Sequence, residues 1–173
     1  QYWLGGSQEN IANLVRMLVA RYAAGARAAL AGAVTAAPPI AYPEVGLYHP
    51  RARGRITERL ADLPAATGGA GTVGVLLLRS YLLAGNTAHY DGAIAALEAR
   101  GLRVIPVFAS GLDARPAIER FLMRDGAPAI DALVSLTGFS LVGGPAYNDA
   151  RAAEEILARL DVPYVAAHPL EFQ

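Results

Sequence analysis

TVGVLLL, residues 72–78, runs without a break into RSYLLAGNTAHYDG, residues 79–92, and this junction decides how the chain reads. The first piece is apolar on both of its alternating faces, as a strand covered on two sides of a sheet must be. The second is a polar loop that opens a helix at Asn86–Thr87. In parallel α/β sheets, the loops at the carboxyl ends of strands line the crevice where ligands bind. A connection that only turned the chain would not need Arg79, Ser80, Tyr81, Asn86, His89, Tyr90 and Asp91 in so short a span.

Outward from that junction the pattern repeats. A strand over 73–78 leads to a helix over 87–100, with Ile94 and Leu97 facing inward. A strand over 102–108 leads to a helix over 115–124, with Pro116 at an early position where its missing donor costs little. A strand over 132–136, a helix over 149–160 and a strand over 163–166 complete the series. Short apolar strands separated by helices predict right-handed βαβ units. The expected fold class is therefore α/β: a Rossmann-like or flavodoxin-like parallel sheet of four to five strands, with helices on both faces, over residues 72–173.

Upstream, residues 1–43 read as an amphipathic helix and a Pro-rich linker. Ser7 is the expected N-cap, and Ile11, Leu14, Val15, Leu18, Val19 and Tyr22 keep helical apolar spacing. The helix is expected to reach about Leu30, with Gly25 as its weak point. Pro38–Pro39 cannot continue it, so 31–43 reads as the linker. Residues 44–71 supply a short strand over 45–49, a short helix over 55–63 and a Gly-rich connection, GGAG at 68–71.

Composition narrows the chemistry. With 173 residues the chain suits one domain with an appended segment, enough to bury roughly 70% of its unfolded surface. It starts at Gln1 without Met, which reads as a piece of a longer protein, and carries nothing like a signal peptide. There is no Cys, so no disulfide, thiolate nucleophile or Cys-based metal site. All 15 basic residues are Arg, which removes a P-loop lysine and a Schiff-base lysine. The formal net charge is zero and no basic stripe is interleaved with aromatics, which argues against nucleic acid. The mean hydropathy of +0.30 reflects abundant Ala, and no apolar run approaches the ~20 residues of a membrane span. The expectation is a soluble, cytoplasmic chain, with peripheral membrane association only through a larger complex.

Four loops should converge on one sheet edge: 79–86, 109–114, 137–148 and 167–172. The third, TGFSLVGGPAYN, is longer than the ~2–6 residues usual for such a connection and carries a Gly pair, as lids and binding loops do. The candidate binding residues on these loops are Arg79, Asn86, His89, Arg115, Phe139, Tyr147 and His168. Arg79 and Arg115 can hold a carboxylate by parallel hydrogen bonds, or pair with Asp91 or Asp113. His89, near a helix start, is either an acid–base or ligand group or a packing histidine. His168 with Glu171 spaces like a two-ligand metal clip, weakened by Pro169 and by the lack of a third ligand. Tyr81, Phe139 and Tyr147 offer flat faces that suit a macrocycle or pack the loops onto the sheet. Asp113, and Asn148 or Asp149, are expected helix caps. His49 is given no role, GGAG and VGGP fit no nucleotide fingerprint, and no acid pair or Ser–His–Asp order assigns a catalytic residue.

Longer segments carry a resemblance. GTVGVLLLRSYLLAGNTAHYDGAIAALEARGLRVIPVFASGLDARPAIE (71–119), ALVSLTGFSLVGGPAYNDARAAEEIL (132–157) and LDVPYVAAHPLEFQ (160–173) closely resemble the large H-type subunits of magnesium chelatase, within the CobN/magnesium chelatase family. YWLGGSQENIANLVRMLV (2–19) and YPEVGLYHP (42–50) fit as well. The likeness spans nearly the whole chain except the linker and residues 51–71. The cobaltochelatase large subunit is similar in rhythm but differs after the first strand, where NTAHYDG argues for the magnesium enzyme.

The resemblance implies a parent subunit that binds protoporphyrin IX and inserts Mg²⁺, with AAA-type ATPase subunits as partners hydrolysing ATP, in chlorophyll or bacteriochlorophyll synthesis. The substrate is the porphyrin; no cofactor is assigned to this segment and no catalytic residue is transferred onto it. Two roles follow as expectations: scaffold or wall of the porphyrin site, or a non-catalytic module docking other domains or the ATPase partners. A small flavodoxin-like enzyme of independent function is the third.

Overall fold

A computed structural model describes residues 1–66, 68–144 and 146–168. It divides into two units, one formed by Gln1–Tyr42 with Ser80–Asn86, the other by Pro43–Arg79 with Thr87–Gln173. The main helices are α1 (Gln8–Tyr22), α2 (Ala88–Glu98) and α3 (Ala150–Leu160). The strands of the main sheet are β1 (Val45–Tyr48), β2 (Ile56–Thr57), β3 (Thr72–Leu78), β4 (Arg103–Ala109), β5 (Ala132–Ser135) and β6 (Tyr164–Ala166).

The larger unit is a mixed α/β fold around one six-stranded sheet, ordered β6-β5-β3-β4-β1-β2. The four strands β6, β5, β3 and β4 pair in parallel, with Val75 opposite Val134 on one side and Pro106 on the other. The sheet is not wholly parallel, however. β1 runs antiparallel to β4, and β2 antiparallel to β1. A period of two carries no strand direction, so VGLY by itself could not orient β1; its pairing with the open edge of β4 does. The helix expected over 55–63 is absent for a local reason. Arg55 has φ 62°, outside any right-handed helix, and the chain turns there into β2, leaving one 3₁₀ turn at Leu60–Asp62.

Both faces of the sheet are covered near β3 and β4. Leu47, Leu76, Ile105, Val107 and Leu133 form one core with Ile118, Phe121, Leu122, Ala152, Ile156 and Leu160, which puts α3 and the 115–122 segment on one face. Gly74 permits this close approach: a Cβ there would stand 2.7 Å from a Leu122 methyl. Tyr48 alternates with Leu47 and so points the other way, and its hydroxyl donates to Asp91 Oδ1 of α2 at 2.6 Å. Tyr90 and Ile94 of α2 are buried, while Leu97 is half-buried. The helix expected over 115–124 is shorter. One α turn, Arg115–Ala117, widens into a π turn, Ile118–Leu122. The chain then enters a hairpin, Met123–Arg124 against Ala127–Pro128. Asp125 (φ 53°) and Gly126 (φ 81°) make its two-residue turn, the form that Asp-Gly favours.

In the smaller unit, Ser7 caps α1 as expected, its hydroxyl accepting from Asn10 N at 3.1 Å. The helix stops at Tyr22 rather than Leu30, because Ala23 is extended and Gly25 takes φ 61°. Residues Gly25–Leu30 form a 3₁₀ segment. The side of α1 that is buried is polar. Asn10 Oδ1 accepts from Ile40 N and Nδ2 donates to Ile40 O, both at 2.8 Å, while Asn13 Oδ1 accepts from Ala37 N at 3.1 Å. Two asparagines thus hold the Pro-rich segment as a neighbouring strand would. The apolar positions Val15, Leu18 and Tyr22 are exposed. Among the described residues no helix is long and apolar enough to cross a membrane.

Candidate functional site

At the carboxyl ends of β3, β4 and β5, a crevice is lined by Leu76, Leu78, Phe108, Asp113, Phe139 and Leu141, with Thr137 and Ser140 at its polar side. The strand ends supply the floor because β3 and β4 are apolar to their last residues. Two of the expected converging loops close it. Ala114 N donates to Leu141 O at 2.9 Å and Gly143 N to Leu112 O at 2.7 Å, an antiparallel bridge centred on Asp113 and Val142. The cavity that remains is about 30 Å³. That holds a few waters and falls well below the ~300 Å³ at which small-molecule pockets begin.

Arg115 and Asp113 lie at the mouth, bound to each other. Arg115 Nη2 donates to Asp113 Oδ2 at 2.7 Å and Nε reaches both carboxylate oxygens at 3.0 and 3.1 Å. Asp113 also accepts from Arg115 N at 2.9 Å, which starts the helical turn. The guanidinium holds the Asp113 carboxyl below its ordinary range, and the carboxylate raises Arg115 in turn. Of the two roles open to Arg115 in the sequence, pairing with Asp113 is the one the side chain adopts. Asp149 is the cap of α3, accepting from Ala152 N at 3.0 Å.

Phe139 is half-buried in the crevice wall. His168 is exposed beside the same loop, its Nδ1 3.4 Å from where a Cβ on Gly138 would lie. Tyr147 stands 70% exposed on a two-residue ladder, Gly143–Gly144 with Tyr147–Asn148. Phe139 and Tyr147 thus belong to the 137–148 loop, and His168 lies beside its start. Arg79, Asn86 and His89 lie on other segments. Arg79 donates from Nε to Pro43 O at 2.9 Å. It begins a short helix, Arg79–Leu83, where a loop was expected. Asn86 belongs to the smaller unit, its amide on Tyr81 O at 3.0 Å. His89 is half-buried with its ring 3.9 Å from that of Tyr90. Glu171, the expected clip partner of His168, lies outside the described residues, as do Pro169 and the end of the fourth loop. Among the described residues no three His, Asp or Glu side chains are grouped to hold a metal ion.

Reading the sequence missed a polar cluster at the start of α2. Thr87 stands at the N-cap of the helix, but its hydroxyl makes no capping bond and donates instead to Asp91 Oδ2 at 3.2 Å. Arg55 donates to Thr87 Oγ1 at 3.0 Å, to Asp91 Oδ2 at 2.9 Å and to the Tyr48 hydroxyl. Burial, and then the Asp91 carboxylate, raise the Tyr48 phenol. His49, 1% exposed, accepts from Arg51 N through Nδ1 at 3.1 Å, which leaves its proton on Nε2, 3.1 Å from Glu98 Oε1. Burial lowers its pKa against the pull of Glu98. These groups fasten the β1–β2 connection to α2. The available signal was YHPRARGR itself, whose density of charge next to a strand exceeds what a linker needs.

All 173 residues match the family model described as CobN/Magnesium Chelatase. The chain belongs to the CobN/magnesium chelatase family. Among relatives, it is 59% identical over 173 residues to the H-type magnesium-chelatase protein of Cereibacter sphaeroides, covering all of this chain and 14% of that protein. It is 38% identical over 192 aligned residues to the chloroplastic magnesium-chelatase protein ChlH of Oryza sativa subsp. indica, covering 13% of it. Among solved structures, the catalytic subunit of cobaltochelatase from Mycobacterium tuberculosis aligns with TM-score 0.58 and 26% identity, over 98% of this chain and 13% of that one. This member thus spans about a seventh of the length of its relatives. The chain and that cobaltochelatase subunit share this fold.

Proposed function

We propose that this chain forms part of the porphyrin-binding subunit of a magnesium chelatase, supplying a wall of the site that receives protoporphyrin IX for ATP-dependent Mg²⁺ insertion. H-type relatives at 59 and 38% identity support the magnesium branch. The observation that carries the wall reading is the 137–148 loop at the carboxyl edge of the sheet, which carries Phe139 in the crevice wall and exposed Tyr147, with His168 beside its start at Gly138. The parallel strands follow the order β4-β3-β5-β6, which reverses between β3 and β5 as in flavodoxin-type sheets. That reversal is where such sheets bind ligands.

The crevice volume limits the role. A macrocycle does not enter it, so the ring lies against the rim, across exposed Tyr147 and His168. A propionate takes the Nε–Nη2 edge of Arg115 only by displacing Asp113. Titration of the chain with a water-soluble deuteroporphyrin, followed by Soret absorbance, tests this. Tyr147→Ala with His168→Ala should weaken binding about tenfold, the scale of losing one stacked aromatic and one polar contact. Absence of binding up to the porphyrin's aggregation limit, or equal binding by the double variant, rejects the wall.

A second reading, a docking module for other domains or the ATPase subunits, is favoured by the smaller unit. Trp3 is 76%, Leu4 81% and Tyr22 67% exposed. Side chains of that size left outward suit an interface core. Self-association or capture of an ATPase subunit, lost in Trp3→Ser with Tyr22→Ser, would support it.

A further inference from the structure

At the opposite edge of the sheet, where β4 begins, an open groove of about 480 Å³ runs beside the Met123–Pro128 hairpin. Its floor is apolar: Ile105 and Phe121 are buried and Leu60 is half-buried. Exposed Arg103 and Arg124 line it, with Asp125 between Arg124 and Gly126 at the hairpin turn. Among the described residues neither guanidinium makes a hydrogen bond, ion pair or ring contact. Seven of the other arginines, Arg51, Arg55, Arg59, Arg115, Arg120, Arg151 and Arg159, pair with carboxylates instead.

We infer that this groove docks an acidic, apolar peptide segment of a protein partner. Two unpaired guanidiniums over an apolar floor suit carboxylates flanking an aliphatic side chain, because Arg offers a planar fork of donors and sheds water more readily than Lys. The floor rewards the aliphatic side chain by area removed from water. The Asp125 carboxylate accepts backbone N–H groups, which a peptide brings and a small anion does not. The two-residue turn sets the backbone from which Asp125 and the neighbouring Arg124 project. The site is remote from the carboxyl-edge crevice and does not depend on porphyrin binding there.

The test is amide NMR of the ¹⁵N-labelled chain with the peptide acetyl-Glu-Leu-Glu-Leu-Glu-amide. Shift changes should cluster at Arg103, Phe121 and residues 124–129. Arg103→Ala with Arg124→Ala should weaken binding about five- to tenfold, as two partly exposed charge pairs would. Its melting temperature should stay unchanged, since neither side chain is bonded. Shifts located elsewhere, equal binding by the double variant, or equal binding of the Lys-Leu-Lys-Leu-Lys counterpart overturn the inference. So does inorganic phosphate moving the same amides as strongly, which would mark a small-anion site.

Discussion

In the larger unit the most buried side chains include Leu47, Val75, Val107 and Leu133; in the smaller unit they are Asn10 and Asn13. The first unit keeps its apolar groups inside, between a sheet and its helices, where burial stabilises it without outside help. The second fixes a helix to a Pro-rich segment through amide–backbone hydrogen bonds and leaves Val15, Leu18 and Tyr22 in water. A hydrogen bond exchanged with water contributes only about 0.5–1.5 kcal/mol net, and among the described residues the smaller unit buries only Leu82 and Leu83 of its apolar side chains. The lesson is that helical apolar spacing tells which positions lie on one stripe, not whether that stripe faces the core. In α1 the capping serine and two asparagines took the inward side first.

The sharpest way to break this contrast is to cut into each unit and follow them separately. Trp3 is the only tryptophan of the chain, so its fluorescence follows the smaller unit while far-UV circular dichroism is weighted towards the larger. Leu133→Ala, at a fully buried position, should lower urea stability by about 2–5 kcal/mol in the dichroism transition. Asn10→Ala strands the N–H and C=O of Ile40. It should cost about 1–3 kcal/mol, seen as faster exchange of the Ile40 amide and quicker proteolysis within residues 31–42, with the sheet amides unmoved. If both variants shift both probes equally, the units are not independent.

Acid should act on the larger unit through His49. Burial depresses its folded pKa below the ordinary 6.5, so the unfolded chain takes up a proton that the native state refuses. The His49 contribution is complete above pH ~6.5 and declines as pH falls from there through the lowered folded value. Melting temperatures recorded from pH 7.5 to 5 should fall more steeply for the native chain than for His49→Gln, which has no such proton to take up. Parallel curves would show that His49 is not the titrating group. The smallest effect is expected in α1. Leu18→Ser, at a position 43% exposed, should change stability by no more than about 0.5 kcal/mol. A loss of several kcal/mol would mean that the stripe is covered in solution.

The alternation of apolar strands and helices from Thr72 onward was enough to place β3, β4, β5, β6, α2 and α3, since period and turn chemistry are local properties. So was the cap at Ser7, and that of α3 as far as Asn148 or Asp149, because a short polar side chain before a helix has one good use. The family was legible too, in long segments whose order no single site dictates. Tertiary structure alone decided the rest. It turned β1 antiparallel, because strand direction depends on which edge is free and not on the strand's own residues. It set Arg115 against Asp113 and carried Asn86 into a different unit from Phe139, Tyr147 and His168, because these are meetings of loops that no local rule brings together. It also left Arg103 and Arg124 unpaired beside an apolar groove. Charge counts cannot reveal that; only the positions of all the carboxylates can.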